Sequence, residues 1–174
     1  GTPVEVVVGP VYDQSGVIQA CREVSYIFNL SSAVFLKRRS AEECFRVHMT
    51  GTQILARAAA MNPGFKRFIQ LSSVGVHGHP AAPLGDEDSP LKPRGAYCRT
   101  KLEAEVWLRR FAARTGLGCC VIRPAQVYGP GDRRMLPLFK AASRSVFFAP
   151  GLEENLHSLS LIHISEPTRL LSIS

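Results

Sequence analysis

The amino-acid sequence predicts an α/β domain with a doubly wound parallel sheet. Two observations support this fold class. Short β-branched and apolar runs alternate along the chain with stretches of helical periodicity. Each run is apolar nearly throughout, which is typical of strands that helices cover on both faces. The predicted strands are residues 4–8, 25–30, 65–71 and 119–122.

Helices are predicted between these strands. Ser40 and Glu43, three residues apart, form a capping box that begins a long helix, and the apolar stripe of this helix stops at Asn62-Pro63-Gly64. A second long helix stops before Gly116. The predicted helices span about residues 14–22, 40–61, 96–114 and 135–143.

Composition and cysteine usage narrow the class of protein. The chain has 174 residues, of which 45% are hydrophobic and 20% are charged, as in an ordinary globular domain. No apolar run approaches about 18 residues and no charged-then-apolar leader opens the chain, so the sequence predicts neither a membrane span nor a secretory signal. The five cysteines include no CxxC pair, which favours a reducing, cytoplasmic location, and no metal site is predicted.

The formal net charge of +7 does not by itself indicate a nucleic-acid partner. The largest basic cluster, Lys37-Arg38-Arg39, is three residues long and has no interleaved aromatic side chains. A solvated face or an anionic small molecule is therefore favoured over nucleic acid.

Polar residues follow the predicted strands where each strand ends. Asn29 and Ser73 close two of them, and the polar loop 124–132 follows a third. In a doubly wound sheet, ligands bind in the crevice beyond the carboxyl ends of the strands. We therefore expect these three segments to line one crevice.

Tyr97 and Lys101 begin the second long helix and are four residues apart, which places the two side chains on one helix face. A cation at this distance favours the phenolate form of a tyrosine, and such a tyrosine can move a proton on or off an alcohol. The same spacing also occurs where a tyrosine merely packs over a lysine stem at the surface. Ser72-Ser73, some two dozen residues earlier, adds a strand-end hydroxyl for the same substrate oxygen.

Six segments, in order, resemble the extended short-chain dehydrogenase/reductases of the NAD-dependent epimerase/dehydratase and 3β-hydroxysteroid dehydrogenase type. The resemblance runs from about Val4 to Phe148. Its segments are Val-Glu-Val-Val-Val-Gly, Tyr-Ile-Phe-Asn-Leu-Ser-Ser, Val-His-Met-Thr-Gly-Thr-Gln, Phe-Ile-Gln-Leu-Ser-Ser-Val-Gly-Val-His-Gly, Ala-Tyr-Cys-Arg-Thr-Lys-Leu-Glu-Ala-Glu and Val-Ile-Arg-Pro-Ala-Gln-Val-Tyr-Gly-Pro-Gly-Asp-Arg.

The resemblance implies a Rossmann-like fold, an NAD or NADP cofactor and a role for each matched residue. Tyr97 is implied to be the acid/base. Lys101 is implied to favour its phenolate and to hold the nicotinamide ribose. Ser73 is implied to position the reacting oxygen and is preferred to Ser72 because of its place before Val-His-Gly. The implied cofactor-binding residues are Asn29, Ser31, Ser32, Tyr97, Lys101, Pro124 and Ala125.

Two of these segments also admit plainer interpretations. The stretch that begins at Asn29 also fits a simple strand-to-loop turn. Arg123, just before the segment that is implied to meet the nicotinamide carboxamide, is interpreted as a structural residue.

The chain departs from the family pattern at three positions. Pro10 stands where most relatives carry an Asp that bonds the adenine amine, so adenine anchoring is expected to be weaker. His48 stands where the family has an Asn that ties the central strands together, and a histidine satisfied by a backbone group is favoured over a catalytic one. His77 replaces a commoner Tyr and is expected to lie in a loop.

The resemblance also implies a longer parent, truncated at both ends here. Relatives begin with a strand, a GxxGxxG phosphate turn and a helix, and then a second strand whose last residue selects NAD or NADP. A unit of that kind, about 50 residues long, does not precede Gly1. We therefore expect a partial sheet that lacks its first βαβ unit. We also expect this 174-residue fragment to have no enzymatic activity.

The end of the chain departs from the family as well. Leu159 to Arg169 match the translation of a common transposase sequencing adapter, although a divergent natural tail is the alternative. We expect residues 1–158 to form the partial dinucleotide-binding domain. Residues 159–174 are expected to be an artefact with few contacts to the rest.

Several functions fit this resemblance. The leading hypothesis is a fragment of an NAD(P)-dependent oxidoreductase of the nucleotide-sugar epimerase/dehydratase type, with hydride-transfer chemistry at Ser73, Tyr97 and Lys101. The alternatives are a 3β-hydroxysteroid or sterol dehydrogenase and a non-enzymatic dinucleotide-sensing scaffold, which would not need all three side chains. The expected partner is a small molecule, either a nucleotide sugar or a steroid, and a homodimeric parent is left open.

Overall fold

A computed structural model describes residues 4–33, 40–78, 86–129, 133, 136–143, 159–161 and 171–172. The chain divides into two units. The first comprises residues 1–123 and 169–174, and the second comprises residues 124–168. The basic cluster Lys37-Arg38-Arg39 lies outside the described residues.

The first unit contains a parallel sheet formed by the apolar runs that predicted it. Its strands are β1 (Tyr26–Asn29), β2 (Arg67–Leu71), β3 (Cys119–Ile122) and, from the end of the chain, β6 (Leu171–Ser172). They follow the order β1-β2-β3-β6, in which β1, β2 and β3 are parallel and β6 is antiparallel to β3. Ile27 lies opposite Phe68, and Ile69 lies opposite Cys120.

The predicted helices of the first unit are present, and one contains an irregular turn. The long helix predicted after Ser40 is α-helical at both ends, with a π-helical turn between them. The elements are α1 (Gln14–Ala20), α2 (Ala41–Phe45), the π turn (Arg46–Thr50), α3 (Gly51–Ala60), a short 3₁₀ turn (Val74–His77) and α4 (Gly95–Thr115).

Local signals in the sequence fix the ends of two helices. The Ser40 hydroxyl accepts a hydrogen bond from the backbone N–H of Glu43 at 3.1 Å, and the Glu43 carboxylate accepts one from the Ser40 N–H at 3.3 Å. This is the predicted capping box. Gly116 ends α4 with φ of +73°, in the left-handed region that glycine adopts without steric cost.

The core lies between the sheet and the helices α3 and α4. Phe68 on β2, Leu108 on α4 and Ala56 on α3 are fully buried. Full burial of a Leu or Phe side chain contributes roughly 1.5–3 kcal/mol. The small alanines of α3 let its backbone approach β1, on which it packs. The buried cluster is Cys21, Ile27, Ala56, Ala58, Ala59, Phe68, Leu108 and Cys119.

The strand predicted over residues 4–8 is wrong. This segment is irregular, and Val4 and Val8 are 84% and 93% exposed. In the doubly wound order 3-2-1-4-5-6, the third strand lies at one edge of the sheet and pairs only with the second, and two strands separate it from the fourth. A β-branched run forms a strand only where a neighbour supplies hydrogen bonds, and no described strand does so here.

Strand β1 also differs from the expectation of burial on both faces. Ile27 and Asn29 are buried, whereas the alternate residues Tyr26 and Phe28 are exposed. Because the described helix α3 packs against β1 and alternate side chains point to opposite faces, only one face is covered. In β2 and β3 consecutive residues are buried, as predicted for covered strands.

The second unit contains a two-stranded parallel sheet and one helix. Its elements are β4 (Gln126–Tyr128), α5 (Leu136–Ala142) and β5 (Leu159–Leu161). Strand β5 pairs with β4, and β6 of the first unit pairs with β3. Five residues of the segment 159–174 therefore pair through their backbones in short ladders, and its other residues lie outside the described part of the chain. The adapter origin of the segment stays a prediction.

Candidate active site

Lys101 joins the ends of two adjacent strands. Its side chain is 1% exposed, and its Nζ donates hydrogen bonds to the carbonyl oxygens of Ser31 at 3.0 Å and Leu71 at 2.8 Å. Leu71 is the last residue of β2, and Ser31 lies two residues beyond β1. The lysine therefore lies at the carboxyl edge of the sheet, where ligands bind in folds of this type.

Burial changes the acidity of this lysine. Loss of water lowers the pKa of the Lys101 ammonium to about 8, and the carboxylate of Glu105 opposes the shift. Glu105 lies one helical turn further along α4 and is itself buried. The ammonium thus remains the main form at neutral pH, held by two carbonyl oxygens and a nearby anion.

Tyr97 lies one turn before Lys101 on α4 and faces the loop that follows β1. Its Oη is 3.4 Å from the Oγ of Ser32. Its ring packs edge-on against the ring of His48, with centroids 5.0 Å apart and planes at 88°. The predicted pair Tyr97 and Lys101 therefore meets one short loop, in which Ser31 and Ser32 are adjacent.

Ser73 and Ser72 have different environments. The Ser73 Oγ accepts a hydrogen bond from the Gly75 N–H at 3.1 Å, and a hydroxyl that accepts in this way can still donate its proton to a ligand. A side chain at Gly75 would lie 2.7 Å from the Cys98 Sγ, so this turn packs closely on the start of α4. Among the described residues, Ser73 and Tyr97 share no direct hydrogen bond.

Ser72 is buried, and its hydroxyl finds no hydrogen-bond partner in the described part of the chain. Its backbone N–H donates to the Ile122 carbonyl at 2.7 Å, which extends the pairing of β2 with β3. Ser72 is therefore a buried residue at the end of β2.

Asn29 is 2% exposed, and all of its side-chain hydrogen-bonding capacity is used inside the protein. Its Oδ1 accepts from the N–H of Ser31 at 3.2 Å and from its hydroxyl at 2.6 Å. Its Nδ2 donates to Thr52 Oγ1 at 3.1 Å and Gln70 Oε1 at 2.9 Å. The structure thus gives Asn29 the task of shaping the loop that meets Lys101, while its cofactor contact stays a prediction.

His48 is fully buried in the π turn, and both of its ring nitrogens have partners. Nε2 accepts the backbone N–H of Ala33 at 3.1 Å, and Nδ1 lies 2.9 Å from Thr100 Oγ1. Burial, together with the Lys101 cation, lowers the pKa of His48 to about 3. The interpretation of a histidine satisfied by a backbone group is confirmed.

Arg123 is a structural residue, as interpreted. Its guanidinium forms a buried pair with the carboxylate of Glu105, with a shortest N to O distance of 2.6 Å. It also donates to the Glu87 carbonyl at 3.1 Å and to Nε2 of His77 at 3.2 Å. The Nδ1 of His77 lies 3.0 Å from the Ser89 carbonyl, so both side chains tie down residues 87–89, shortly before α4.

The two remaining predicted cofactor contacts, Pro124 and Ala125, belong to the second unit. They are half-buried and lie between β3 and β4 in the sequence. Their position beside a nicotinamide stays a prediction.

Four polar residues that support the site were not identified from the sequence. All are buried, and each makes a hydrogen bond or ion pair to a residue named above. They are Thr52, Gln70, Thr100 and Glu105. For Thr52 and Gln70 the available signal was a polar residue inside a mainly apolar element, because such a group needs a partner to offset its desolvation. For Thr100 and Glu105 there was no such signal, because α4 carries many other polar and charged residues.

Two further observations on the described residues concern metal binding and membrane spanning. These residues hold no group of three or more His, Cys, Asp and Glu side chains that could bind a metal ion. None of the helices described is both long enough and apolar enough to span a bilayer.

Comparison with known proteins identifies the class of protein. The profile of the NAD-dependent epimerase/dehydratase family matches residues 2–146, which is most of the chain. The fold agrees with that match, since a solved short-chain dehydrogenase/reductase superfamily protein from Agrobacterium tumefaciens with bound NAD superposes with a TM-score of 0.66 and 30% identity. The chain belongs to the NAD-dependent epimerase/dehydratase family.

Two curated relatives illustrate the range of activities in the family. The chain is 31% identical over 150 residues to a 3beta-hydroxysteroid-dehydrogenase/decarboxylase (isoform 2) of Arabidopsis thaliana. The aligned region covers 82% of this chain and 26% of that protein. The chain is 34% identical over 124 residues to a UDP-glucose 4-epimerase of Mycolicibacterium smegmatis, 67% of this chain and 39% of that protein. The Agrobacterium match covers 74% of this chain and 40% of the solved chain. The chain thus spans between a quarter and two fifths of each of these proteins.

Proposed function

We propose that the full-length protein is an NAD(P)-dependent oxidoreductase of the nucleotide-sugar epimerase/dehydratase type, with Tyr97 as its acid/base. The observation that carries the proposal is the anchoring of Lys101. Its two hydrogen bonds to strand-end carbonyls place the lysine at the ligand-binding edge of the sheet. Tyr97, one turn away on the same helix face, is then directed to the same edge.

The donors at this edge fit the ribose of a nicotinamide dinucleotide. An ammonium has three N–H groups, and Lys101 uses two on carbonyl oxygens, which leaves one for a ribose hydroxyl. The hydroxyls of Tyr97 and Ser32 lie 3.4 Å from each other, and Ser32 follows Ser31, whose carbonyl oxygen Lys101 binds. Lys101, Tyr97 and the loop of Ser31 and Ser32 would hold the cofactor, together with Asn29, Pro124 and Ala125 in the contacts that the family resemblance implies. When bound, the dinucleotide supplies a hydride acceptor and donor.

The side chains of this site account for the proton that accompanies hydride transfer. Tyr97 as phenolate takes the proton of a substrate hydroxyl at its Oη and returns it when the carbonyl is reduced again. Ser73 donates a hydrogen bond to the same substrate oxygen and holds it near Tyr97. Lys101 keeps a positive charge one turn away on the same helix face. Return of the hydride to the opposite face of the ketone would give an epimerase, and release of the ketone would give a dehydrogenase.

A 3β-hydroxysteroid or sterol dehydrogenase is the second candidate. It is favoured by the Arabidopsis relative, which aligns with 82% of this chain. A non-enzymatic dinucleotide sensor is disfavoured, because a scaffold has no need of Ser73, Tyr97 and Lys101 together. Buried thiols such as Cys119 and Cys120 on β3 support a cytoplasmic location.

The test is a substrate panel with the full-length protein, in which NAD and NADP are each combined with UDP-glucose, dTDP-glucose or a 3β-hydroxysteroid. We expect turnover of one nucleotide sugar. Turnover of the steroid alone would select the second candidate, and cofactor binding without turnover of any panel member would favour the sensor.

The Tyr97→Phe variant tests the catalytic assignment in the same assay. We expect turnover to fall on the order of 10²- to 10⁴-fold with cofactor affinity nearly unchanged, because the ring is kept and only the proton relay is lost. Tyr26→Phe, on the exposed face of β1, is the matched control and should leave turnover unchanged. Retention of most activity by Tyr97→Phe would refute the acid/base role.

A further inference from the structure

We propose that His48 is a positioning residue, which holds the loop of Ser31 to Ala33 and the ring of Tyr97 in a fixed relation to each other. This inference rests on the proposed function of Tyr97. His48 has no exposed surface and does not itself meet a ligand, so its effect on the reaction passes through the groups that it contacts.

The partners of His48 determine where its proton lies. A backbone N–H can only donate, so the Ala33 N–H requires a lone pair on Nε2. The neutral ring then carries its proton on Nδ1 and donates it to Thr100 Oγ1. The Thr100 hydroxyl in turn donates to the Ala96 carbonyl at 2.8 Å. Every donor in this chain of hydrogen bonds points the same way, from the loop through His48 into the first turns of α4.

The same ring contacts both halves of the proposed proton-transfer site. On one side it holds the N–H of Ala33, whose neighbour Ser32 lies 3.4 Å from the Tyr97 hydroxyl. On the other side it packs edge-on against the Tyr97 ring at 5.0 Å. Ser31, in the same loop, supplies a carbonyl oxygen to Lys101. A shift of His48 would therefore move the loop relative to Tyr97 and Lys101 together.

The asparagine that the family usually carries would perform only part of this task. A carboxamide has an acceptor for Ala33 and a donor for Thr100 but no ring to pack against Tyr97. The histidine lies in a π turn, an irregularity that recurs at functional sites in helices. The position thus combines hydrogen bonding and ring packing in a single side chain.

The first experiment measures the histidine tautomer directly and does not depend on activity. Long-range ¹H–¹⁵N spectra of the full-length protein, with His48→Gln for assignment, should show His48 as the neutral tautomer protonated at Nδ1 at pH 7. A neutral ring protonated at Nε2, or a charged ring, would overturn the hydrogen-bond arrangement on which the inference depends.

The second experiment separates positioning from folding. His48→Phe keeps a ring but removes both hydrogen bonds, and we expect kcat of the folded protein to fall about 10- to 100-fold, with a changed pH profile and little change in KM. His48→Gln, which restores a donor and an acceptor, should recover part of the loss and keeps the test informative if His48→Phe does not fold. His77→Phe is the matched control, because it also removes two hydrogen bonds but lies against Arg123 and Ser89. It should lower thermal stability without altering kcat.

The outcomes distinguish the two proposals. If Tyr97→Phe abolishes turnover while His48→Phe keeps the wild-type kcat and pH profile, the positioning role is overturned and the proposed function stands. If Tyr97→Phe retains turnover, the acid/base role fails whatever His48 does, and the tautomer measurement alone then decides whether His48 holds the loop as described.

Discussion

The Nζ of Lys101 lies 2.8 Å from the carbonyl oxygen of Leu71, the residue that ends β2. A second hydrogen bond, 3.0 Å long, reaches the carbonyl of Ser31 beyond β1. One side chain from α4 therefore joins two neighbouring strand ends. The group proposed to hold the ribose is thus also part of the framework that shapes the site.

Lys101→Met should damage stability, cofactor affinity and turnover together. Methionine has a similar length but no donor, so two interior carbonyls lose their partner at a cost of about 1–3 kcal/mol for each. Urea denaturation and cofactor titration of the full-length protein measure the first two effects. Lys140→Met on α5, where the lysine is exposed, is the control and should change neither. Normal cofactor affinity in Lys101→Met would contradict the ribose role.

Glu105→Gln should lower the free energy of unfolding by about 3–5 kcal/mol, because it leaves the guanidinium of Arg123 buried without its counter-charge. Glu103→Gln on the exposed face of the same helix should stay within about 0.5 kcal/mol of the wild type. Chemical denaturation of both variants checks the difference. Equal stability of the two would show that the pair contributes little.

Acid should destabilise the protein through His48. In the folded protein the pKa of His48 is about 3, whereas the ordinary pKa of a histidine is 6.5. The folded protein therefore takes up a proton at His48 only at much lower pH than the unfolded chain does. Below pH 6.5 the unfolded chain thus binds more protons, and the free energy of unfolding falls as the pH falls, by at most about 1.4 kcal/mol per pH unit. Among the described residues, the charged and titratable groups that face the ring are Lys101 and Tyr97.

Urea denaturation at pH 7, 6 and 5 measures this dependence before most carboxylates titrate. His48→Gln, which cannot take up the proton, should show a shallower dependence on pH than the wild type. Identical slopes would mean that His48 is protonated equally in both states.

The 174-residue chain should not bind NAD or NADP with a Kd below about 1 mM. Its sequence contains no GxxGxxG or GxGxxG turn, and such a turn supplies the backbone amides and helix N-terminus that bind a pyrophosphate. Calorimetric titration tests this, with a family member that carries the turn as the positive control. Micromolar binding by the 174-residue chain would show that other residues hold the dinucleotide.

The elements that the sequence predicts well are those with a local signal. The apolar runs of β1, β2 and β3 and the capping box at Ser40 each depend on residues that are close in sequence. Residues 4–8 have the same kind of signal but form no strand. Strand formation also needs a hydrogen-bonding neighbour, which composition does not reveal.

The candidate site also combines features that have a local sequence signal with features that depend on distant partners. The helical spacing of Tyr97 and Lys101 predicts a shared face, and the helix α4 provides it. The sequence indicated a backbone partner for His48 but not that this partner is Ala33, and it did not indicate that Lys101 binds the carbonyl oxygens of Ser31 and Leu71. Every residue carries such groups, so the sequence does not mark which of them will accept or donate.

Because of the π turn at Arg46–Thr50, the effect of deleting one residue between Ser40 and Ala60 depends on where the deletion falls. Each residue of a regular helix advances the chain by about 100° around its axis. Deleting one residue from this turn would let the path continue as a regular α-helix and would keep Ala41–Phe45 and Gly51–Ala60 in about the same relative rotation, because a π turn takes roughly one residue more than an α turn to complete the same angle. For protein engineering, one deleted codon within the π turn is therefore expected to be tolerated better than one in the α-helical parts, where it would rotate one part of the helix against the other by about 100°.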